Sequence, residues 1–335
     1  MTTIGRHLSW GSELPARAAR TTHLTGRFLL TGGVRRLPPA VVAPLRRQAN
    51  PPALLNPVLH AARKVLRRGG LPRAVRTFTL VDNPALHFVN ADSLVLQQLY
   101  WFGEQGWEPE LLPWWRYACR RASSILELGT NVGYFAVQGA KAAPATRYLA
   151  VEPHPVSAQV CRKNLALNGI DSVEVLAAAA TAEPTESSTQ LRIPWEQLAT
   201  PTVAFVAHGS ELPQGMAARA GIAIEVPAVD VRSLLHGVDL VKIDVEGQEH
   251  RLLAAGWQQL RTYRPTIFVE VLPGTPRLRA VLVQLCTELG YRCYIPSRKR
   301  LIPITPLQLP TVSLQPVYGT NDLLLCPDSG MPTAI

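Results

Sequence analysis

The sequence contains no apolar run of the roughly 18 residues that a membrane-spanning helix needs, which argues against an integral membrane protein. Cysteine is also scarce, and the five cysteines form neither a C-x-x-C pair nor a zinc-binding spacing. Neither a disulfide framework nor a structural zinc site is therefore expected. An odd, scattered set of cysteines instead predicts reduced thiols in the core of a cytoplasmic protein.

Acidic residues are almost absent from the first 80 positions, which contain 14 Lys and Arg residues but only Glu13 as an acid. The rest of the chain has 20 basic and 23 acidic residues, so the formal net charge of +10 comes entirely from the N-terminal part. The body of the protein thus gives no argument for nucleic-acid binding, and a small-molecule partner is expected. Residues 1–75 are rich in Arg and Pro and are predicted to be a mostly disordered or loosely packed extension.

One part of this extension has helical periodicity. Residues 56–68 place apolar side chains on one face and basic side chains mostly on the other. Such a helix could cover the edge of the following domain or make peripheral contact with an anionic membrane. An Arg-rich, acid-poor leader also resembles an organelle transit peptide. The N-P-P-A segment at residues 50–53 resembles a motif of amino-group methyltransferases, but no apolar strand precedes it, so we interpret it as a loop.

Aromatic residues are dense in residues 76–121, which we predict to form a helical cap over a ligand site. Most of them are expected to be core residues. Trp107 and Glu108 lie in a loop flanked by glycine and are the candidates for lining an acceptor pocket.

The stretch SILELGTNVGYF at residues 124–135 predicts a short buried strand, a turn through Gly129 and Gly133, and a helix. Glycines allow close approach of the backbone to a ligand, and the following helix N-terminus offers unpaired N–H groups. Glu127 lies at the carboxyl end of the strand, where open α/β sheets bind ligands. A second apolar strand at residues 147–151 ends at Glu152, a suitable carboxylate for ribose hydroxyls. This pattern predicts an adenosine-containing ligand.

The charge of the turn selects among adenosine ligands. A nicotinamide dinucleotide carries an anionic pyrophosphate, which Glu127 would repel. S-adenosylmethionine carries an ammonium and a sulfonium, which the same carboxylate would attract. S-adenosylmethionine is therefore the predicted cofactor.

Further strands are predicted at residues 173–179, 239–245 and 266–272, with a β-rich insertion at about 181–230 that would form a wall or lid. Two late strands, at residues 291–295 and 322–326, are joined by a turn-rich loop instead of a helix and predict an antiparallel pair at one edge of the sheet.

The strand at residues 173–179, the third along the chain, ends in small residues, so backbone groups or Glu183 would have to contact adenine. His208, in the insertion, is interpreted as a surface loop residue.

Four segments together resemble the FkbM family of S-adenosylmethionine-dependent methyltransferases: LELGTNVGYF at 126–135, AVEP at 150–153, VKIDVEGQE at 241–249 and NDLLL at 321–325. The third segment is the most specific. The resemblance spans roughly residues 92–327 and leaves the basic extension uncovered.

This resemblance implies the class I methyltransferase fold, with a seven-stranded, mostly parallel sheet flanked by helices, in a domain at residues 122–330. It also implies O-methylation of hydroxyls on small metabolites such as sugars, glycolipids or polyketides. The residues expected to bind the cofactor are Glu127, Gly129, Asn131, Gly133, Glu152, Pro153 and Asp244.

Catalysis of hydroxyl methylation calls for a group that removes the hydroxyl proton. Asp244 is the first candidate because it ends the strand next to the cofactor strand, although it could instead hold the cofactor's ammonium. Glu246 and Glu270 are further candidates. The three acids could also hold a divalent cation, but no metal is assigned. His250 is expected at the surface.

Two other functions remain alternatives to O-methylation. The chain could be a nucleotide-dependent oxidoreductase, or a non-catalytic, cofactor-binding or membrane-recruited scaffold.

Overall fold

The computed structural model describes residues 71–183, 187–194, 200–206, 221–327, 331–332 and 334. The chain divides into two units, Met1–Arg76 and Thr77–Ile335, and the elements below all belong to the second. The N-P-P-A segment, the basic helix predicted at residues 56–68 and His208 lie outside the described residues. Within the described residues, no helix is both long and apolar enough to cross a bilayer.

Helices and strands alternate along the described chain. The helices are α1 (Leu94–Phe102), α2 (Leu112–Cys119), α3 (Tyr134–Ala142), α4 (Pro155–Leu167), α5 (Val231–Leu234), α6 (Glu249–Ala255), α7 (Trp257–Tyr263), α8 (Pro276–Glu288) and α9 (Gln315–Tyr318). The strands are β1 (Thr77–Thr79), β2 (His87–Val89), β3 (Ser124–Leu128), β4 (Arg147–Val151), β5 (Val173–Leu176), β6 (Ala179–Thr181), β7 (Ser188–Pro194), β8 (Phe205–Val206), β9 (Gly221–Asp230), β10 (Leu240–Ile243), β11 (Thr266–Glu270), β12 (Arg292–Pro296), β13 (Leu301–Ile304) and β14 (Asp322–Cys326).

The central sheet has the order β13-β12-β14-β11-β10-β3-β4-β5. Strands β5, β4, β3, β10 and β11 are parallel, and β14 runs antiparallel between β11 and β12. This confirms the predicted class I methyltransferase fold with its antiparallel last strand. Two details of the prediction were wrong. The sheet has eight strands instead of seven, because β13 pairs with β12. Strands β12 and β14 pair as expected, but β13 and not this pair forms the edge of the sheet.

The middle of the sheet is buried on both faces, as parallel strands covered by helices require. All five residues of β3 are buried. On one face, a large aliphatic cluster includes Leu126, Val241 and Ile267. On the other face, Trp115 of α2 packs edge-on against Phe268 and donates its indole N–H to the carbonyl of Phe135 at 3.0 Å. These two contacts hold helix α2 against β11 and against α3, the helix that follows β3.

The region before β3 is less helical than predicted, because it begins with the two-stranded antiparallel sheet β1–β2. Helices α1 and α2 follow, and most of their aromatic side chains are core residues, including Trp101, Trp114 and Trp115. A loop between them contains Trp107 and Glu108, and we call residues 103–111 the cap loop. The side chain of Ser93 accepts an N–H from Leu96 and begins α1.

The β-rich insertion is present as a separate four-stranded sheet with the order β6-β9-β7-β8. Its strands bury a small apolar cluster of Ala179, Leu191, Ile193 and Val226. The hydroxyl of Thr200 in the insertion donates to the carbonyl of Asp92 at 2.5 Å, next to a β-bridge between Ser93 and Thr200. The insertion is therefore joined to the segment that begins α1.

Candidate functional site

A cavity of about 270 Å³ opens at the carboxyl ends of β3, β4, β10 and β11. Open parallel sheets bind ligands at such a point, because the order of the strands reverses between β3 and β10 while the strands stay parallel. The residues predicted from sequence that line it are Glu127, Gly129, Asn131, Glu152, Pro153, Asp244, Glu246 and Glu270, together with Trp107 and Glu108 of the cap loop. Gly133, also predicted to bind the cofactor, is not among the lining residues.

Gly129 and Gly133, the two glycines of the turn after β3, make close contacts with different parts of the protein. Gly129 has φ +84°, and a Cβ at this position would lie 1.7 Å from the carbonyl oxygen of Asp244. The turn after β3 thus contacts the turn after β10 through backbone atoms, which only glycine permits. Gly133 has φ +81°, and a Cβ there would lie 2.5 Å from the sulfur of Cys161. Gly133 therefore allows close packing of α3 against α4.

Asn131 connects three parts of the site. Its backbone N–H donates to Glu152 Oε2 at 2.8 Å, and its side-chain Nδ2 donates to the carbonyl of Pro201 in the insertion at 2.6 Å. The side-chain oxygen accepts the N–H of Val132 at 2.8 Å. Asn131 therefore shapes the cavity by holding its wall in place, whereas the sequence predicted only cofactor binding.

Glu152 is buried at the end of β4, and both of its oxygens accept backbone N–H groups, from Asn131 and His154, each at 2.8 Å. Burial raises the pKa of Glu152 to about 7, although these N–H groups stabilise the ionised form. A carboxylate oxygen accepts more than one hydrogen bond, so Glu152 keeps capacity for ribose hydroxyls.

Glu127 is 1% exposed, and Tyr148 of the neighbouring strand donates its hydroxyl to Glu127 Oε2. Burial raises the pKa of Glu127, and the charge of Lys242 and the Tyr148 hydroxyl oppose that rise. One oxygen of Glu127 is thus engaged within the protein. The Thr130 side chain is a further neighbour that favours the ionised form of Glu127.

The three candidate catalytic acids form a cluster. Asp244, Glu246 and Glu270 each present a carboxylate oxygen, and these oxygens lie within 4.8 Å of one another. Burial and the neighbouring carboxylates raise the pKa values of Glu246 and Glu270 well above the usual range. Within the described chain, Glu270 Oε2 has no hydrogen-bond partner. The spacing would also allow the three oxygens to contact one hard cation.

The loop that carries Asp244 and Glu246 is held by a residue that the sequence analysis did not select. Glu249 is buried, and its Oε1 accepts the N–H groups of Val245 at 2.9 Å and Gly247 at 3.2 Å. Burial raises the pKa of Glu249 to about 7, although these N–H groups stabilise the charged form.

The neighbouring His250 is buried, so its predicted surface position was wrong. The reason is that the first turn of α6 faces the protein interior.

The wall opposite the acids is mostly apolar. Ala178, Ala179 and Ala180 line the cavity after β5, and Leu191 and residues 201–204 and 206 line it from the insertion. Glu183, an adenine contact suggested by the sequence, instead forms an ion pair with Arg251 at 2.5 Å and does not line the cavity.

Backbone strain is concentrated at this site. Four non-glycine residues in the described chain have positive φ, and three of them line the cavity: Glu108 at 40°, Asn131 at 51° and Glu246 at 52°. Such conformations cost roughly 1–3 kcal/mol each and cluster at functional sites. The strain therefore supports the cavity as the functional site independently of the acidic residues.

The lining residues fit S-adenosylmethionine better than a dinucleotide. Among the described lining residues, six are carboxylates and one, Lys242, is cationic. Lys242 is already paired with Asp244 at 2.8 Å. A pyrophosphate would therefore meet repulsion, whereas a ligand with an ammonium, a sulfonium and ribose hydroxyls finds suitable partners in Glu127 and Glu152.

Residues 127–293 match the family model described as the methyltransferase FkbM domain. No curated protein matches the chain. Among solved structures, the methyltransferase FkbM from Methylobacillus flagellatus KT is 10% identical over 92% of this chain and 60% of that chain, with a TM-score of 0.38. The O-methyltransferase TomG from Streptomyces achromogenes, solved with SAM, is 15% identical over 65% and 78%, with a TM-score of 0.36. An O-methyltransferase from Bacillus cereus in complex with SAH is 13% identical over 65% and 80%, with a TM-score of 0.36.

Proposed function

Through residues 127–293 the chain belongs to the FkbM family of S-adenosylmethionine-dependent methyltransferases, and we propose that it methylates a hydroxyl group of a small metabolite, such as a sugar, a glycolipid or a polyketide. The observation that supports this proposal most directly is the position of Asp244, Glu246 and Glu270. Their carboxylates lie in the same cavity as the glycine turn and Glu152, where they can contact a hydroxyl beside the cofactor.

Two carboxylates would hold the cofactor. Glu152 would accept hydrogen bonds from the ribose hydroxyls, and Glu127 would face the positively charged methionine part through its second oxygen. S-adenosylmethionine supplies an electrophilic methyl group to this site. The chain itself contributes orientation, exclusion of water and a group that takes the proton.

Asp244 is proposed as the base that accepts the hydroxyl proton. Its alternative role is to hold the cofactor's ammonium. Asp244 Oδ2 is already paired with the ammonium of Lys242 at 2.8 Å, so Oδ1 is the oxygen that would serve in either role. Glu246 is the second candidate, because burial and the neighbouring carboxylates raise its pKa and thereby make it a stronger base. Glu270 would bind the acceptor or share its proton.

The acceptor would enter between the cap loop and the acids. Val95, Trp107 and Leu272 provide apolar lining at the same cavity, with Glu108 as a polar contact. Such a lining favours a molecule with an apolar face and hydroxyl groups. Among the described lining residues the one cation, Lys242, is already paired with Asp244, which disfavours a strongly anionic acceptor.

Calorimetry tests the cofactor first. S-adenosylmethionine and its demethylated product are titrated into the wild-type protein and into Glu152→Ala and Asp244→Ala variants. We expect micromolar binding by the wild type, a large loss for Glu152→Ala and near wild-type binding for Asp244→Ala. A folded wild-type protein that binds neither compound would favour the non-catalytic scaffold, and binding of a dinucleotide instead would favour the oxidoreductase.

Methyl transfer is then assayed on a panel of hydroxylated sugars and polyketides with a radiolabelled methyl group. Asp244→Ala should bind cofactor but lose transfer, because the proton acceptor is gone. The same assay with a chelator and with added Mg²⁺ tests the alternative role of the three acids. A strict Mg²⁺ requirement would assign them to a metal instead of to direct proton transfer.

A further inference from the structure

Lys242 lies near the end of β10 and is 2% exposed. Lysine is seldom buried to this degree unless its charge is paired, because removing an ammonium from water is costly. The other residues of the strand, Leu240, Val241 and Ile243, are apolar. An apolar side chain at position 242 would complete the strand without that cost, so the ammonium group calls for an explanation.

The ammonium of Lys242 has one hydrogen-bond partner and two more distant favourable neighbours. Lys242 Nζ lies 2.8 Å from Asp244 Oδ2, 4.0 Å from Glu108 Oε2 and 4.9 Å from the centre of the Phe135 ring. The ring face is itself a favourable neighbour for a cation. Lys242 is thus hydrogen-bonded to Asp244 and lies within ion-pair distance of Glu108, whose Oε2 has no hydrogen-bond partner among the described residues.

Further carboxylates surround this cation. Strand pairing places Glu127 of β3 beside Lys242, and the charge of Asp322 of β14 also acts on it. Burial alone would lower the pKa of Lys242, but the nearby carboxylates raise it well above the usual range. The nearby carboxylates thus favour the charged form of Lys242.

Its two nearest carboxylates belong to separate segments. Asp244 follows β10, whereas Glu108 lies in the cap loop. The carbonyl of Glu108 accepts the N–H groups of Leu111 and Leu112 at the start of α2, and its backbone has φ 40°. The backbone at Glu108 is thus both strained and hydrogen-bonded to the helix that follows. Lys242 contacts the side chain of this residue and the candidate base at the same time.

We propose that Lys242 is a positioning residue, whose ammonium holds the carboxylates of Asp244 and Glu108 in place and thereby ties the cap loop to the carboxyl end of β10. This role does not depend on which acceptor the protein uses. It explains why a cation is kept in an otherwise apolar strand. It also means that the two sides of the acceptor pocket are held together by one charge.

Hydrogen exchange of the full chain, followed by mass spectrometry, tests this proposal without an acceptor. Lys242→Met keeps the length of the side chain and removes the charge. We expect it to speed exchange by about tenfold in residues 244–248, where a charged hydrogen bond is lost. In residues 103–112, where an ion pair at 4.0 Å is lost, we expect at least about a threefold increase. Exchange in β4 should stay within about twofold of wild type, which separates local loosening from a general loss of stability.

Three further variants sharpen the result. Glu108→Gln should speed exchange only in residues 103–112, and Asp244→Asn only in residues 244–248. Lys141→Met is the matched control, because the same change is made at a lysine whose ammonium contacts the carbonyl of Asn168 instead. It should leave both segments unchanged.

The proposal is wrong if Lys242→Met changes exchange less than about threefold in either segment, or if β4 loosens to the same extent. In that case the aliphatic stem, which Met retains, explains the residue. If Lys242→Met does not yield folded protein, the two carboxylate variants decide the matter. Absence of their separate local effects would overturn the proposal.

Discussion

The side-chain amide of Asn131 donates a hydrogen bond of 2.6 Å to the carbonyl of Pro201, and this bond joins the turn after β3 to the β-rich insertion. The same residue has φ 51°, a conformation that asparagine and glycine tolerate better than other residues. Asn131 therefore combines a backbone requirement with a side-chain contact, and the two can be separated by substitution.

Asn131→Gly should keep the backbone conformation and lose the contact with Pro201. We expect the dissociation constant for S-adenosylhomocysteine to rise about threefold to tenfold, the worth of a neutral hydrogen bond. Asn131→Ala should lose the same contact and in addition about 1 kcal/mol of stability, because alanine disfavours this φ. Calorimetry and urea unfolding measure the two effects. Wild-type affinity in Asn131→Gly would show that the insertion does not depend on this bond.

Cofactor affinity should depend on pH through Glu152. Because burial raises its pKa to about 7, the carboxylate that we propose to accept ribose hydrogen bonds is mostly protonated at pH 6 and mostly ionised at pH 8. Affinity for S-adenosylhomocysteine should therefore increase roughly tenfold between these two values. Glu152→Gln should bind more weakly and with little pH dependence in this window. A pH dependence that survives in Glu152→Gln would assign it to another group.

The same shift predicts the sign of a stability effect. The folded pKa lies above the ordinary value of 4.5, so the folded state binds the proton more tightly than the unfolded state. The contribution of Glu152 to stability is thus fully present below about pH 4.5 and is lost as the pH rises through about 7. Urea unfolding of wild type and Glu152→Gln should differ in slope over this window. Parallel curves would contradict the raised pKa.

Gly129→Ala should be far more damaging than an alanine placed at a comparable but open position. A Cβ at Gly129 would lie 1.7 Å from the carbonyl oxygen of Asp244, so either the turn or β10 must move. We expect a loss of more than about 3 kcal/mol, in the range of strong overpacking. Gly274→Ala is the control, since its φ of 78° is similar but no atom lies within 4 Å. That variant should lose only about 1 kcal/mol, and equal losses would show that φ alone matters.

Glu249→Ala should loosen the loop that carries Asp244 and Glu246. It removes the acceptor of two backbone N–H groups, those of Val245 and Gly247, and leaves them buried without a partner. We expect a loss of about 2–3 kcal/mol in urea unfolding. Glu249→Gln keeps an acceptor oxygen and should lose less than half as much. Similar losses for both variants would mean that the charge of Glu249, and not its hydrogen bonding, stabilises the loop.

The strands of the central sheet were predictable because their apolar runs are short, bounded by turn residues and separated by amphipathic helices. The pairing of β12 and β14 was predicted correctly from their turn-rich connection, although that connection contains β13 and the short helix α9 instead of a loop alone. Strand β13 was missed because Pro303 interrupts a run of only four residues, and proline is tolerated there only beside the edge of a sheet. Edge position depends on strand order, which a local pattern does not contain.

In the site, the positions of the carboxylates followed from strand ends, but their partners did not. Lys242 looks like an ordinary strand residue until β3 and the cap loop bring Glu127 and Glu108 beside it. Gly133 could be recognised as a turn residue, yet its contact with Cys161 requires the packing of α3 on α4. Tertiary contacts of this kind determine the charge and orientation of a side chain, and sequence spacing alone does not reveal them.

The backbone contact between Gly129 and Asp244 joins the turn after β3 and the turn after β10 into one unit. The walls around this unit are attached mainly by side-chain contacts. The insertion is held through Asn131 and Thr200, and the cap loop through Glu108. Substitutions in these walls can accumulate without disturbing the joined turns. Descendants of such a protein could therefore change the molecules they accept while their methyl-transfer chemistry stays the same.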